Sequence, residues 1–451
     1  MTSMKKFKFG TLIFGSLGVS CFIAVAYILL TKSLVPVFLM LATTIGIVGL
    51  ALLVLPRFIS TELCDAIGIN LLSGIAALYA AEYYFTPVPD KAIEVAYSTF
   101  HDRRSMHEVV TQLRAKGDKS AIPIIYPSYL LTRPDFYSGE IFNVDNQPIL
   151  PLSGVSSRTT VLCNESGYWA TYASDEFGFH NPKGLWGGNI DIAVVGDSFS
   201  HGNCVHSGED WVSLLRAFNP RTLNLGMGGN GPLFELASIK EYLPAIKPKI
   251  VIWEYFEAND TRTNAEETLP ILKRYLTEPN FKQDIVGKQK QVDDLLEQIV
   301  EKASKEHVKK GGNTRNIRAA EFLRLGNLRT RLGIQFGESK STLATLALAL
   351  AEGNRVVSEW GGQLYFVYLP SMQGLVGQSA AHYGTREAII AIAKEHKLRV
   401  IDLYPEMKSH PDPAALFPYR GPFHYNAEGY RLVTQKVIER LRQDSSAATN
   451  P

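Results

Sequence analysis

The strongest constraint on the fold is an apolar run, IAVV, that stops abruptly on GDSFSHG. Residues 190–196 are rich in Ile and Val and closed by Gly196, the pattern of a buried strand. Four more such runs follow at 221–226, 249–256, 363–369 and 398–402, separated by stretches with helical patterning. Strands alternating with helices predict a parallel sheet covered on both faces. Ligands of such sheets bind beyond the carboxyl ends of the strands. The Gly-Asp-Ser turn puts Ser198 at one of those ends, where a substrate can reach it.

Three further blocks occur in order: NLGMGGNG (Asn224–Gly231), IWEYFEAND ending in Asn259 and Asp260, and FHYNAEGY, in which His424 opens the last helix. Ser, Gly, Asn and His in this order, at these strand ends, resemble the SGNH (GDSL-like) hydrolases and acyltransferases over roughly residues 185–445. The resemblance implies a flavodoxin-like α/β sheet. It also implies a nucleophile at Ser198 and a general base at His424. The oxyanion hole would be made by the Ser198 main-chain N–H, Gly229 and Asn259. The residue types suit acyl transfer. Serine must lose its proton as it attacks, and histidine titrates in the right range to take it. Each pre-aimed donor to the tetrahedral oxyanion typically contributes about 3 kcal/mol.

Two positions depart from the family pattern. The family carries an Asp two or three residues before its histidine, where this chain has Pro422 and Gly421. A Ser–His dyad is therefore the favoured expectation, with Asp402, at the end of LRVIDL, as the candidate orienting acid. The third block also has Glu257 where Gly is usual. Asp197 reads as a turn residue, Asp260 as a loop anchor, and His201 as a base only by its nearness in sequence. GMGGNG also matches the dinucleotide fingerprint, with Glu254 about twenty residues on. A Rossmann oxidoreductase would leave both the GDS turn and the C-terminal His unexplained.

The net charge of +2 gives no reason to expect a nucleic-acid partner. Residues 9–31 and 33–56 carry no charge, and at about 1.5 Å per residue each can cross a bilayer core of about 30 Å. A third apolar stretch lies between Asp65 and Glu82, interrupted by Asn70 and followed by Tyr83, Tyr84 and Phe85. Lys5, Lys6 and Lys8 place the N-terminus in the cytoplasm. Three spans then put the rest outside, in the periplasm of a bacterial cell; two would leave it inside. Of four cysteines, only Cys163 and Cys204 lie beyond the apolar segments. A disulfide between them fits an oxidising compartment, and two buried thiols are the alternative. No His/Cys cluster has metal spacing, and neither a metal nor a cofactor is expected.

The expected organisation is a transmembrane region at 1–85, an extended and edge segment at 86–185, and a catalytic domain at 186–445. One amphipathic helix is expected near 104–116 and a disordered tail at 446–451, with a charged helical insertion at about 262–360 read as a solvated cap, a lid or partner-docking surface being the alternative. The favoured activity is a membrane-anchored serine esterase acting on O-acetyl groups of a cell-envelope glycan, a substrate class the resemblance implies. An O-acyltransferase fed by a membrane acyl-donor protein uses the same site. A degenerate glycan-binding module is the non-enzymatic alternative.

Overall fold

A computed structural model describes residues 9–31, 36–85, 101–128, 143–144, 147–257, 266–267, 269–307, 322–323, 325, 328–329, 340–376 and 381–449. The chain divides into two compact units, residues 1–87 with 314–332, and 88–313 with 333–451.

The first unit contains helices α1 (Phe9–Thr31), α2 (Pro36–Val54) and α3 (Thr61–Phe85). Segments Phe9–Ala26 and Thr61–Phe85 are long and apolar enough to cross a membrane, with mean hydropathies of 2.0 and 1.6. Asn70 does not interrupt α3, because its side-chain amide donates back to the Ala66 carbonyl at 2.8 Å. The middle of the long insertion joins this unit. Phe322 lies against Tyr79 with ring centroids 5.6 Å apart, and the buried Glu82 carboxylate accepts the Leu328 N–H at 2.7 Å.

The second unit is built on five parallel strands: β4 (Ile192–Val195), β5 (Thr222–Asn224), β6 (Ile250–Phe256), β7 (Gln363–Leu369) and β8 (Arg399–Asp402). Their spatial order is β8-β7-β6-β4-β5. Ile192 of β4 pairs with both Thr222 and Ile250, so the chain's path reverses at β4. This is the flavodoxin-like order, and its crevice opens beside the first strand of the sheet. All four residues of β4 are buried, which accounts for its unbroken apolar character.

Helix α4 (Met106–Ala115) falls where the sequence places it, closed by a capping box between Ser105 and Glu108. It accompanies a small sheet of β1 (Ala121–Pro123), β2 (Thr159–Val161) and β3 (Thr171–Ala173). Helices α5 (Ser198–His201) and α6 (Trp211–Phe218) follow β4, and α7 (Pro232–Ile246) follows β5. Helices α8 (Pro270–Thr277), α9 (Gln289–His307) and α10 (Lys340–Glu359) belong to the insertion, and α10 packs on α7. Helices α11 (Met372–Val376), α12 (Ala381–Glu395), α13 (Tyr404–Lys408) and α14 (Ala427–Thr449) complete the unit, with α14 packed on α6.

Two expectations are corrected. The first half of the insertion is not a solvated cap. Leu272, Tyr275, Ile285, Val292 and Leu296 are fully buried in the main core, because α8 and α9 each turn one apolar stripe inward. Its polar groups are also held: Lys240 of α7 donates to the carbonyls of Tyr275 and Glu278 and to Glu352. The end of the chain is helical to Thr449 rather than a disordered tail from residue 446. The Ser445 hydroxyl donates to the Leu441 carbonyl, and the two alanines favour helix.

Candidate active site

β4 ends at Val195, and the chain turns at Gly196 and Asp197 into the single-turn helix α5 that begins with Ser198. The turn is tight enough to require glycine. A Cβ at Gly196 would lie 2.4 Å from Glu254 Oε2 and 2.5 Å from Ser200 Oγ. Asp197 caps α5 by accepting the Phe199 N–H at 2.8 Å, the turn role expected of it. The Asn224–Gly231 loop passes close behind. A Cβ at Gly226 would meet Ser200 Cβ at 2.5 Å, and Gly229 takes the left-handed φ of +77° that glycine accommodates.

Ser198 Oγ lies 2.7 Å from His424 Nε2. The histidine reaches it from the loop before α14, with its ring against Phe199. The other ring nitrogen, Nδ1, lies 2.8 Å from Glu165 Oε2, and the same carboxylate oxygen accepts the His424 main-chain N–H at 2.9 Å. With Nδ1–H given to Glu165, Nε2 presents its lone pair to the serine hydroxyl. Burial disfavours the imidazolium, but the Glu165 carboxylate outweighs it and holds the His424 pKa above its ordinary value. Burial likewise opposes ionisation of Glu165, and the facing His424 keeps its carboxyl below the usual range.

The dyad and the Asp402 expectation are therefore corrected. Asp402 is engaged elsewhere: its carboxylate pairs with Arg386 and accepts the Tyr404 N–H at 3.0 Å. The acid that faces His424 comes from the small-sheet region, 259 residues away in sequence. His201 is not available as a base. It is fully buried among Tyr126, Tyr172 and His180, and neither ring nitrogen has a partner among the described residues. Burial drives its pKa well down, so it stays neutral.

The Cys163–Cys204 bridge is present, with the two Cα atoms 5.2 Å apart. Glu165, Cys204 and His424 are the one grouping of metal-donor atoms among the described residues. Its sulfur is committed to the bridge and its imidazole to Glu165 and Ser198. Asn259 and Asp260 lie outside the described residues. Glu257, the departure in that block, clamps the end of β6 to the turn after β7: its carboxylate accepts the Ser371 N–H at 2.7 Å and the Tyr368 hydroxyl. Just beyond the Asn259 segment, Glu266 accepts the N–H groups of Gly231 and Leu233 at 2.7 and 2.9 Å. That ties Glu266 to the chain just after Gly229. Burial pushes the Glu266 carboxyl up to about 7. Glu254, the acid a dinucleotide reading needs on a ribose, is fully buried beneath the Gly-Asp-Ser turn, accepting the Ser200 hydroxyl at 2.9 Å. Burial, then the neighbouring Asp197, push its carboxyl well above the usual range.

A profile of the GDSL-like Lipase/Acylhydrolase family matches residues 194–432. No curated protein matches the sequence. Solved structures it resembles include a two-domain esterase active on acetylated mannans, co-crystallised with mannopentaose. That match has 13% identity, covers 56% of this chain and 50% of the other, and has a TM-score of 0.32. This chain thus spans about half the length of that protein. A lipase/acylhydrolase from Enterococcus faecalis matches at 13% identity over 56% of this chain and 97% of its own, with a TM-score of 0.33. A variant of an acetyl-xylooligosaccharide esterase from Geobacillus matches at 14% identity over 55% and 92%, with a TM-score of 0.32.

Proposed function

Because this chain belongs to the GDSL-like lipase/acylhydrolase family, matched over more than half its length, we propose that it cleaves acyl esters through an acyl-enzyme on Ser198. The observation that carries the reading is the continuous chain of hydrogen bonds from Ser198 through His424 to Glu165, at 2.7 and 2.8 Å. As Ser198 Oγ attacks the ester carbonyl, its proton passes to His424 Nε2. The resulting imidazolium is stabilised by Glu165 at Nδ1. The tetrahedral oxyanion faces the Ser198 N–H together with Gly229 and Asn259, the roles their positions in the family blocks imply. Collapse breaks the ester C–O bond, and His424 returns its proton to the departing alcohol. Water then attacks the acyl-enzyme, giving its proton to His424, and the acid is released with Ser198 restored.

The substrate we carry forward is an O-acetylated glycan of the cell envelope. Its support is the apolar N-terminal unit, suited to a membrane anchor, and a disulfide that fits an oxidising compartment. A carboxylate in place behind the histidine speaks against a binding module, which has no use for it. A fluorophosphonate probe should label the wild type and not Ser198→Ala, and the protein should release acetate from an acetylated polysaccharide. Labelling that survives Ser198→Ala would reject the site. Acetyl moved to a second sugar, with no free acetate, would make the enzyme a transferase. For topology, a reporter fused after residue 90 should be active only in its extracytoplasmic form. A cytoplasmic reporter signal would remove the envelope glycan as substrate.

A further inference from the structure

Glu165 sits on no strand or helix of the five-stranded sheet. It lies at the tip of the loop between β2 and β3, and that loop closes on itself through Ala170 N–H to the Cys163 carbonyl at 2.8 Å and Gly167 N–H to the Asn164 carbonyl at 2.9 Å. These bonds shape the loop but do not aim it at His424. On one side the loop is held by the segment before α4, where the Asp102 N–H donates to the Gly167 carbonyl at 2.8 Å and the Asn164 amide donates to the Asp102 carbonyl at 3.1 Å. On the side facing His424, its contacts lead to the segment just after α5. Cys163 is bonded to Cys204; the Ser166 hydroxyl donates to the Cys204 carbonyl at 2.5 Å; and Tyr168 stacks on His206 with centroids 3.9 Å apart and ring planes nearly parallel. The bridge is also at the reacting groups. Cys204 Sγ lies 3.7 Å from His424 Nδ1, the same nitrogen that Glu165 holds. The Cys204 segment is in turn fixed to the nucleophile, since the Asn203 N–H donates to the Ser198 carbonyl at 3.0 Å.

We propose that Cys163 and Cys204 are positioning residues for the acyl-transfer site: their bridge sets Glu165 against His424, so that full activity requires the oxidised pair. The inference rests on Ser198, His424 and Glu165 acting as proposed above. It explains how an acid taken from a separate small sheet reaches a histidine near the C-terminus. A rotatable side chain on a loop held only on its far side would be less precisely placed, and misplacement by about 1 Å is enough to cost on the order of a hundredfold in rate. It also makes competence depend on compartment, because thiols stay reduced in the cytoplasm and pair outside it.

Among the described residues, few charged and titratable groups face His424. Glu165 faces it from the loop, and Asp197 adds a smaller effect of the same sign from the turn before α5. His201 on α5 is neutral through burial, and Cys204 does not titrate while bridged. Loss of Glu165 from its place should therefore lower the His424 pKa.

The test compares four forms of the full-length protein on p-nitrophenyl acetate over a pH series: wild type, the double variant Cys163→Ala/Cys204→Ala, Glu165→Gln, and the triple variant. Alanine leaves no polar atom at position 204 near Nδ1, whereas the thiol of a reduced Cys204 is a weak partner that does not replace the carboxylate. The double variant should lose roughly a hundredfold in kcat/KM. Its acid limb should move to lower pH, as in Glu165→Gln, and the triple variant should fall no more than about twofold below Glu165→Gln. Treatment of the wild type with a dithiol breaks the S–S bond. Two electrons and two protons pass to the sulfurs, and the reagent closes to its own cyclic disulfide. Activity should fall as two thiols appear, return on reoxidation, and change little in Glu165→Gln. An acid limb that keeps its position while only the amplitude drops would mean the bridge supports stability alone, and would overturn the proposal even if part of the protein unfolds. Additive losses in the triple variant would do the same. Turnover that persists in Ser198→Ala would instead sink the reading of the site itself.

Discussion

Replacing Ser198 with alanine should lower kcat/KM for acyl esters by at least about a thousandfold, and His424→Ala should do nearly the same. The two residues act as one unit, since the hydroxyl proton must leave through Nε2 at 2.7 Å. The double variant should therefore lose little more than either single one. Asn259→Ala should cost about a hundredfold or more, as the loss of one oxyanion donor typically does. Steady-state kinetics on a soluble acetyl ester, with circular dichroism to verify folding, checks all three. A double variant whose losses multiply would show that Ser198 and His424 do not share one step.

Glu165→Gln carries the second large effect. An amide at this position cannot stabilise the imidazolium and can present its NH2 rather than an oxygen to Nδ1, favouring the wrong tautomer. The loss should be on the order of a thousandfold or more, while Asp402→Asn should leave kcat/KM nearly unchanged. The pH profile separates this from a structural defect. His424 must be neutral to accept the proton, so activity rises with pH through its pKa. In the wild type that limb stands above the ordinary histidine value of 6.5, because the Glu165 carboxylate favours the charged ring. Removing the carboxylate lowers that pKa, so the limb should shift to lower pH while the plateau falls. A large loss in Asp402→Asn, or an unshifted limb in Glu165→Gln, would contradict the geometry.

Glu165 was within reach of the sequence although no motif marks it. The sequence makes a Cys163–Cys204 bridge the expectation, with two buried thiols as the alternative, and such a bridge brings residues 164–166 beside the chain that follows Ser198. Glu165 is the carboxylate there. Asp402 looked better because it ends a strand of the same sheet. At that strand end, however, Arg386 on α12 is nearer and neutralises it. The insertion was misjudged for a related reason. Its charge count suggested solvent, but amphipathic helices need only one buried stripe, and Val292, Leu296 and Ile299 supply it.

What the sequence determined by itself is what local patterning encodes. The five apolar runs became the five parallel strands, because buried strands must be apolar on both faces. The GDS turn and the glycine-rich loop were legible because close backbone approach leaves no room for a Cβ at Gly196 or Gly226. Only the tertiary structure decided which acid serves His424. A carboxylate's partner is set by distance in space and by competing cations. Here those depend on a bridge between Cys163 and Cys204 and on a loop whose sequence carries no periodic signal.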